Sequence, residues 1–513
     1  MRKSLTIACL AGAGMLFSCK KIPQQEAIVN PQKINTQQID AAIRARLESD
    51  HVFNWSTVSD EMIWSALQHS DQILSIGYQP EGIQLQGEAI AAVDIHQQAW
   101  KEARLQVLSL VLQYESATRK NLDISKLEEW NEDVLPVMDI RVENFATVKA
   151  LRSSKLVRYA EPMGYEPRQS QSGLQDIQSS SGCGSNVAEA GLVSGVDYSV
   201  ITPNSKQSWN YSYHQIPGAW TKTTGTGIKV FIIDTGCEFD QGNLGSSFNQ
   251  GNSSGRTVEK IVTLPRSTFL GIPTGPVETA DDGCGHGTSM AGACAAPRGT
   301  DGAACGVAYN CNLVTCRAAA DVYLDESREV KGVADAYTNA ANRADVKIIS
   351  MSMGKITSSS QITDAINYAS GKGKLMFCAA GTSFSWTSGW FGVIFPAYLS
   401  NVNAVTGVRD NNFNTNCTDC HKGTETDFTV VMEKASNERH PITLAMTGDA
   451  PSTVGGSSVS TATMAGMAAL VWSRFPTYTR DQVLNKLILN ASNYPTRNSN
   501  FGWGNVNINN ATN

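Results

Sequence analysis

The chain has 513 residues, more than one hydrophobic core ordinarily supports, so a principal domain with at least one smaller folded unit is expected. With 41% hydrophobic and 17% charged residues, the composition is that of a globular protein and excludes a wholly disordered or membrane-embedded chain. A formal net charge of -6 offers no basic surface to a phosphate backbone and argues against nucleic acid as a partner.

The first residues read as an export signal: Arg2 and Lys3 open it, an apolar run extends from Leu5 to Phe17, and the small Ser18 precedes Cys19. The run is shorter than the roughly 20 apolar residues of a membrane-spanning helix. Leu16-Phe17-Ser18-Cys19 resembles a bacterial lipoprotein cleavage box. That resemblance implies a signal peptide over 1–18 and a lipid on Cys19. It places the chain in the cell envelope, anchored to a membrane, or outside the cell after processing. A plain secretory signal with an incidental cysteine is the alternative, and on both readings the protein leaves the cytoplasm. Setting Cys9 and Cys19 aside from the 12 cysteines leaves an even ten, so disulfides are expected in an oxidising compartment.

Ile39, Ile43 and Leu47 recur every four residues, and Leu105, Leu108 and Leu112 at three and four, so both stretches predict amphipathic helices. Strands are predicted over 137–142 and 156–160, with a short helix over 145–151 between them, so residues 19–168 read as a small helical and α+β unit. Gln169 to Ser185 is rich in Ser, Gln and Gly and opens a linker drawn over 169–202. From residue 203 the pattern changes to continuous apolar runs separated by helical stretches: 228–233, 313–316, 346–351, 374–379 and 402–408. Such runs fit strands buried on both faces of a parallel sheet, an α/β fold whose sites form at the carboxyl ends of its strands.

Three places set a reactive side chain among small residues. Asp234 ends the first apolar run and is followed by Thr235 and Gly236; a carboxylate there can hold an imidazole in one tautomer. His286 lies in Gly285-His286-Gly287-Thr288, before a helix of small residues. Ser458 follows Gly455-Gly456-Ser457 and opens an Ala-rich helix, where free backbone N–H groups and the positive end of the helix dipole favour an oxyanion. Singly, each is compatible with a turn former, a structural histidine or an N-cap. Their joint occurrence in the order Asp, His, Ser is one of the known chain orders of the serine triad. If acid and imidazole meet, Cys237 and Cys284, each within three residues of one of them, come close enough to pair.

These segments resemble the three active-site motifs of the subtilisin family, the subtilases: Asp234-Thr235-Gly236, Gly285-His286-Gly287-Thr288, and the run 456–466. The resemblance covers about 203–510 and implies a subtilisin-like serine endopeptidase over 203–513, acting on polypeptide substrates through Asp234, His286 and Ser458. It further implies that Ser350, Ser352, Met353 and Gly354 line the substrate, which lies beside 350–354 as an added strand, and that Ala379, Ala380 and Gly381 wall the first specificity pocket. No cofactor is required for this chemistry. A structural calcium is common in the family, with Asp240 and Asn243 as candidates here.

The sequence departs from the family where an Asn usually follows Ala-Ala-Gly. Here Thr382 stands there, so the oxyanion would be met by Thr382, or Ser383, together with Ser458. Ser457 replaces the usual Thr and Ala462 the usual Pro. A catalytically impaired subtilase that binds peptides is the alternative. Residues 145–162 resemble the end of the family's inhibitory propeptide, whose tail enters the cleft, so 19–168 is read as a propeptide-like region with self-cleavage a few residues past Glu161. An accessory domain is the other reading. Cys417-Thr418-Asp419-Cys420-His421 also fits the haem-attachment pattern C-x-x-C-H. A disulfide-bonded loop, or a metal site with His421 or His440, stands beside that reading.

Overall fold

Asn35 caps the first helix by accepting from the backbone N–H of Gln38, and α1 (Thr36–Asp50) buries Ile39, Ile43 and Leu47 as their spacing predicts. The computed structural model describes residues 30–167, 183–184, 186–269, 272–382 and 392–513. The signal, Cys19, most of 169–185 and Ser383 lie outside the described residues. After α1 come α2 (Asp60–Gln68), β1 (Ile73–Tyr78), α3 (Gln98–Glu115), β2 (Val137–Arg141), α4 (Phe145–Arg152) and β3 (Val157–Pro162). The three strands form an antiparallel sheet in the order β2-β1-β3. In α3 the buried stripe is Trp100, Ala103, Val107, Leu108 and Val111. Leu105, expected on that face, is 52% exposed, because it sits two residues from Val107 and so on the far side of the helix.

The rest of the chain builds a mostly parallel sheet flanked by helices, the expected α/β arrangement. Its elements are β4 (Lys229–Asp234), β5 (Val258–Val262), α5 (His286–Ala295), β6 (Asn312–Arg317), α6 (Ser327–Asn342), β7 (Val346–Met351), α7 (Ser360–Gly371), β8 (Leu375–Ala379), β9 (Asn403–Arg409), β10 (Asn412–Asn416), β11 (Thr426–Glu433), α8 (Gly456–Arg474) and α9 (Arg480–Leu489). The order is β10-β9-β8-β7-β4-β6-β5, with β11 also pairing β9 and with β10 antiparallel to β9. Along β4, Val230 and Ile232 enter the core under α5 and α8, while Phe231 and Ile233 enter the core under α6 and α7. Burial on both faces is why this strand reads as an unbroken apolar run. Because β6 lies on one side of β4 and β7 on the other, the strand order reverses at β4, and a crevice opens beyond its carboxyl end.

The amino-terminal sheet rests on α6 and α7. Arg158 of β3 forms a two-pronged pair with Asp364 of α7 at 3.0 and 2.6 Å, and Tyr159 donates to the same carboxylate at 3.0 Å. Gln361 bridges Ser75 and Asp139 at 3.0 and 3.1 Å. Carboxylates meet the first turns of both helices: Asp71 accepts from the hydroxyl of Ser327, and Glu161 from the N–H and hydroxyl of Ser360.

Residues 186–202, the second half of the expected linker, are bound to the larger unit. Met446 N–H donates to the Asn186 carbonyl and Glu189 N–H to the Pro451 carbonyl, each at 2.9 Å, and Tyr198–Ile201 pairs with Ser205–Ser208. Cys183 is bonded to Cys284, so the pairing expected between Cys237 and Cys284 does not form; Cys237 is a free thiol buried in the core. Cys417 and Cys420 are bonded to each other, which leaves no thiol for haem and corrects that reading to a disulfide-closed loop.

Candidate active site

β4 delivers the Asp234 carboxylate, 1% exposed, to the crevice. Its Oδ1 accepts from the backbone N–H of Thr235 at 2.8 Å and meets Nδ1 of His286 at 2.7 Å. His286 is the first residue of α5, and Gly287 is what allows this approach: a Cβ there would lie 2.3 Å from the Gly236 carbonyl oxygen and 3.2 Å from the Asp234 Cβ. The loop ahead of α5 is organised by Asp282, which accepts from the N–H groups of Cys284, Gly285 and Thr288 and from the hydroxyls of Thr235 and Thr288. Asp282 was not singled out from the sequence: four of its five donors are local to residues 284–288, and only the Thr235 hydroxyl, brought in by β4, ties it to the site. Burial disfavours the imidazolium of His286, but the charge and hydrogen bond of Asp234, with the carboxylates of Asp282 and Asp321 behind it, outweigh burial and raise its pKa above 6.5.

Ser458 lies in the first turn of α8, whose leading N–H groups have no partner inside the helix. His286 and Ser458 line one cavity with Ser352, Met353, Gly354, Ala379, Gly381, Thr382 and Ile394. In this conformer the Ser458 hydroxyl donates to the Ser352 carbonyl at 3.4 Å, and the Ser352 hydroxyl to the Ser458 carbonyl at 3.0 Å. Thr382 lines the same cavity, and its hydroxyl lies 3.0 Å from that of Ser457.

A family model described as the subtilase family matches residues 225–504, more than half of the chain. The chain belongs to the subtilase family. It is accordingly a subtilisin-like serine endopeptidase. Among relatives of this subtilase, alkaline elastase YaB of Bacillus sp. (strain YaB) is 29% identical over 317 residues, 61% of this chain and 72% of the relative. Thermitase of Thermoactinomyces vulgaris is 29% identical over 216 residues, 41% of this chain and 67% of the relative. Subtilisin Savinase of Lederbergia lenta is 27% identical over 309 residues, 59% of this chain and 98% of the relative.

Two residues expected along the substrate do not reach the cavity of this subtilase. Ser350 is fixed inside the sheet, paired with Ile232 on one side and Phe377 on the other. Ala380 is fully buried, with its N–H on the Val405 carbonyl and its own carbonyl accepting from Ile394. β7 ends at Met351, and only from Ser352 onward does the chain line the crevice. The edge of Gly354 is already paired: its N–H donates to Val322 and its carbonyl accepts from Leu324, at 3.1 and 3.0 Å. The end of the amino-terminal unit, expected to enter the cleft, lies beside it. Up to residue 167 none of its residues lines the cavity, and Glu166 accepts from the Tyr323 hydroxyl at 2.8 Å and from the Ile356 N–H at 2.9 Å.

Asp240 and Asn243, the calcium candidates, are not directed at a common point by any contact among the described residues. Asp240 is exposed, and the side chain of Asn243 is spent on Gln250 and Asp449 at 2.6 and 3.2 Å. Among the described residues no three His, Cys, Asp or Glu side chains converge as a metal would need, at His421 and His440 or elsewhere. Among the same residues no helix is long and apolar enough to cross a membrane.

Proposed function

We propose that this subtilase cleaves peptide bonds with Ser458 as nucleophile, His286 as general base and Asp234 as the group that orients the imidazole. The observation that carries this reading is the 2.7 Å contact between Asp234 Oδ1 and His286 Nδ1 on the wall of the cavity that Ser458 also lines. With Nδ1–H donating to the carboxylate, Nε2 is the basic nitrogen. A rotation of the Ser458 side chain away from the Ser352 carbonyl brings its proton to Nε2 as the oxygen attacks the scissile carbonyl. The imidazolium then protonates the leaving amine, and water hydrolyses the acyl-enzyme by the same path. The developing oxyanion is met by the Ser458 N–H and the Thr382 hydroxyl.

Substrate runs along Ser352 to Gly354, which requires the segment 322–324 to part from Gly354. Glu166 ties Tyr323 of that segment to the opposite wall at Ile356, so the amino-terminal unit holds the groove shut. Residues 19–168 thus act as an intramolecular inhibitor, and a cut after residue 167 releases them. Export through residues 1–18 and lipid attachment at Cys19 place the uncut chain at a membrane of the cell envelope, and the cut frees the peptidase from that anchor.

Labelling by a fluorophosphonate, with mass spectrometry of the incubated chain, tests the assignment. Label on wild type that is absent from Ser458→Ala, with self-cleavage only in the former, is the expected result. If the peptidase freed of residues before Gln169 takes no label, the alternative of a peptide-binding, catalytically impaired subtilase replaces it.

The base must be neutral to act, and the carboxylates facing His286 favour its cation. Activity is therefore lost as pH falls through a pKa raised above that of an ordinary imidazole. The acid limb of kcat/KM is expected to have its midpoint above 6.5, and a midpoint at or below that value would contradict the arrangement.

A further inference from the structure

The hydroxyl assigned to the oxyanion, that of Thr382, is a rotor, and it helps only if its proton points into the cavity. A side-chain amide at this place has fixed donors; a hydroxyl must be aimed. The groups around it decide the direction. Thr382 Oγ1 lies 3.0 Å from Ser457 Oγ and accepts from the Ser457 backbone N–H at 3.3 Å, while Ser457 Oγ accepts from the Gly381 backbone N–H at 3.2 Å. One proton lies between the two hydroxyls. If Thr382 supplied it, Ser457 Oγ would accept twice and its own proton would have no protein acceptor among the described residues, in a residue that touches the cavity wall but is only 1% exposed. If Ser457 supplies it, every group in the buried cluster is satisfied. The one remaining proton is then that of Thr382, a half-buried residue that lines the cavity. Gly456 makes the contact possible: at φ +80° it carries no Cβ, and one placed there would lie 2.9 Å from Thr382 Oγ1.

We propose that Ser457 is a positioning residue for the peptidase reaction: by donating its proton to Thr382 Oγ1 it turns the Thr382 O–H toward the carbonyl oxygen that becomes the oxyanion. The proposal rests on the reading of Thr382 as oxyanion donor and adds the residue that makes a threonine serve there. The chain Gly381 N–H to Ser457 O–H to Thr382 O–H also polarises the last donor, since hydrogen bonds in series strengthen one another. No proton is transferred along it. Its effect falls on the state in which the oxygen is charged, and so on kcat more than on KM.

The test uses the active enzyme with a chromogenic peptide amide, comparing Ser457→Ala, Ser457→Thr, Thr382→Val and the double variant Ser457→Ala/Thr382→Val. Thermal unfolding and fluorophosphonate labelling are followed in each. Thr382→Val is expected to lower kcat about 100-fold, the lower end for an oxyanion donor. Ser457→Ala is expected to lower it about tenfold with KM within about twofold, a fraction of the loss of the donor itself. Ser457→Thr, which keeps the hydroxyl, restores most of the rate. The double variant is no slower than Thr382→Val alone, because Ser457 acts only through Thr382. If Ser457→Ala does not fold, Ser457→Cys, with a weak S–H donor in nearly the same volume, replaces it with the same expected drop. A slow Thr382→Val beside an unimpaired Ser457→Ala, or a double variant slowed by the product of the two single effects, overturns the role of Ser457 alone. A Thr382→Val enzyme with unchanged kcat overturns the oxyanion reading and this inference with it. Loss of labelling only in Ser458→Ala leaves the triad assignment standing in either case.

Discussion

Replacing Ser458 by alanine is expected to lower kcat for peptide hydrolysis by about 10⁶-fold while leaving KM within a few-fold, a magnitude measured in subtilisin itself and carried here by family membership. On the proposed assignment nucleophile, base and carboxylate act as one unit: without the hydroxyl, the imidazole has nothing to deprotonate and no acyl-enzyme forms. Residual hydrolysis then comes from the oxyanion donors and from binding alone. The side chain is small and half-buried in the first turn of a helix, so the change should leave folding intact. Steady-state kinetics with the same peptide amide checks this. A loss smaller than about 100-fold, less than one oxyanion donor is worth, would show that another group is the nucleophile.

The second large effect concerns stability. Arg158 and Asp364 join the amino-terminal sheet to α7 with side chains only 10% and 11% exposed, and Arg158 also donates to the carbonyls of Tyr78 and Pro136. Arg158→Ala strands the Asp364 carboxylate in a buried contact, which costs about 3–5 kcal/mol. Replacing both partners, as in Arg158→Met/Asp364→Leu, removes the stranded charge and should recover most of the loss, because the net worth of a buried pair is small beside the penalty of breaking it. Urea unfolding of the full chain in a Ser458→Ala background, where no self-cleavage intervenes, measures both. A loss below about 1 kcal/mol for Arg158→Ala, the range of an exposed pair, would mean that water reaches this contact.

The parts legible in the sequence are those set by short-range pattern. β7 spans Val346–Met351 as predicted, and β4 differs from its apolar run by one residue at each end, because strands covered on both faces cannot alternate. Asp234, His286 and Ser458 stood out through the glycines beside them, and Gly287 proves necessary on steric grounds. What the sequence hid depends on convergence of distant segments. The even number of cysteines implied disulfides but not that Cys284 would choose Cys183 over Cys237. Ser350 and Ser352 are two residues apart, yet the strand ends between them, so one stays in the sheet and the other meets the cavity. Thr382 and Ser457 each depart from the family, but only their meeting at 3.0 Å shows that the two departures share one hydrogen bond.

The Cys183–Cys284 bond spans a sequence separation of 101 residues and closes a ring that contains β4 with Asp234 and ends two residues before His286. On a chain-entropy account a ring of this size restricts the unfolded chain by about 4–5 kcal/mol. A cut between residues 167 and 183 leaves Cys183, near the new end of the chain, still bonded two residues ahead of the histidine. Fraying from that end, where exposed termini are most open to proteases, therefore stops at Cys183.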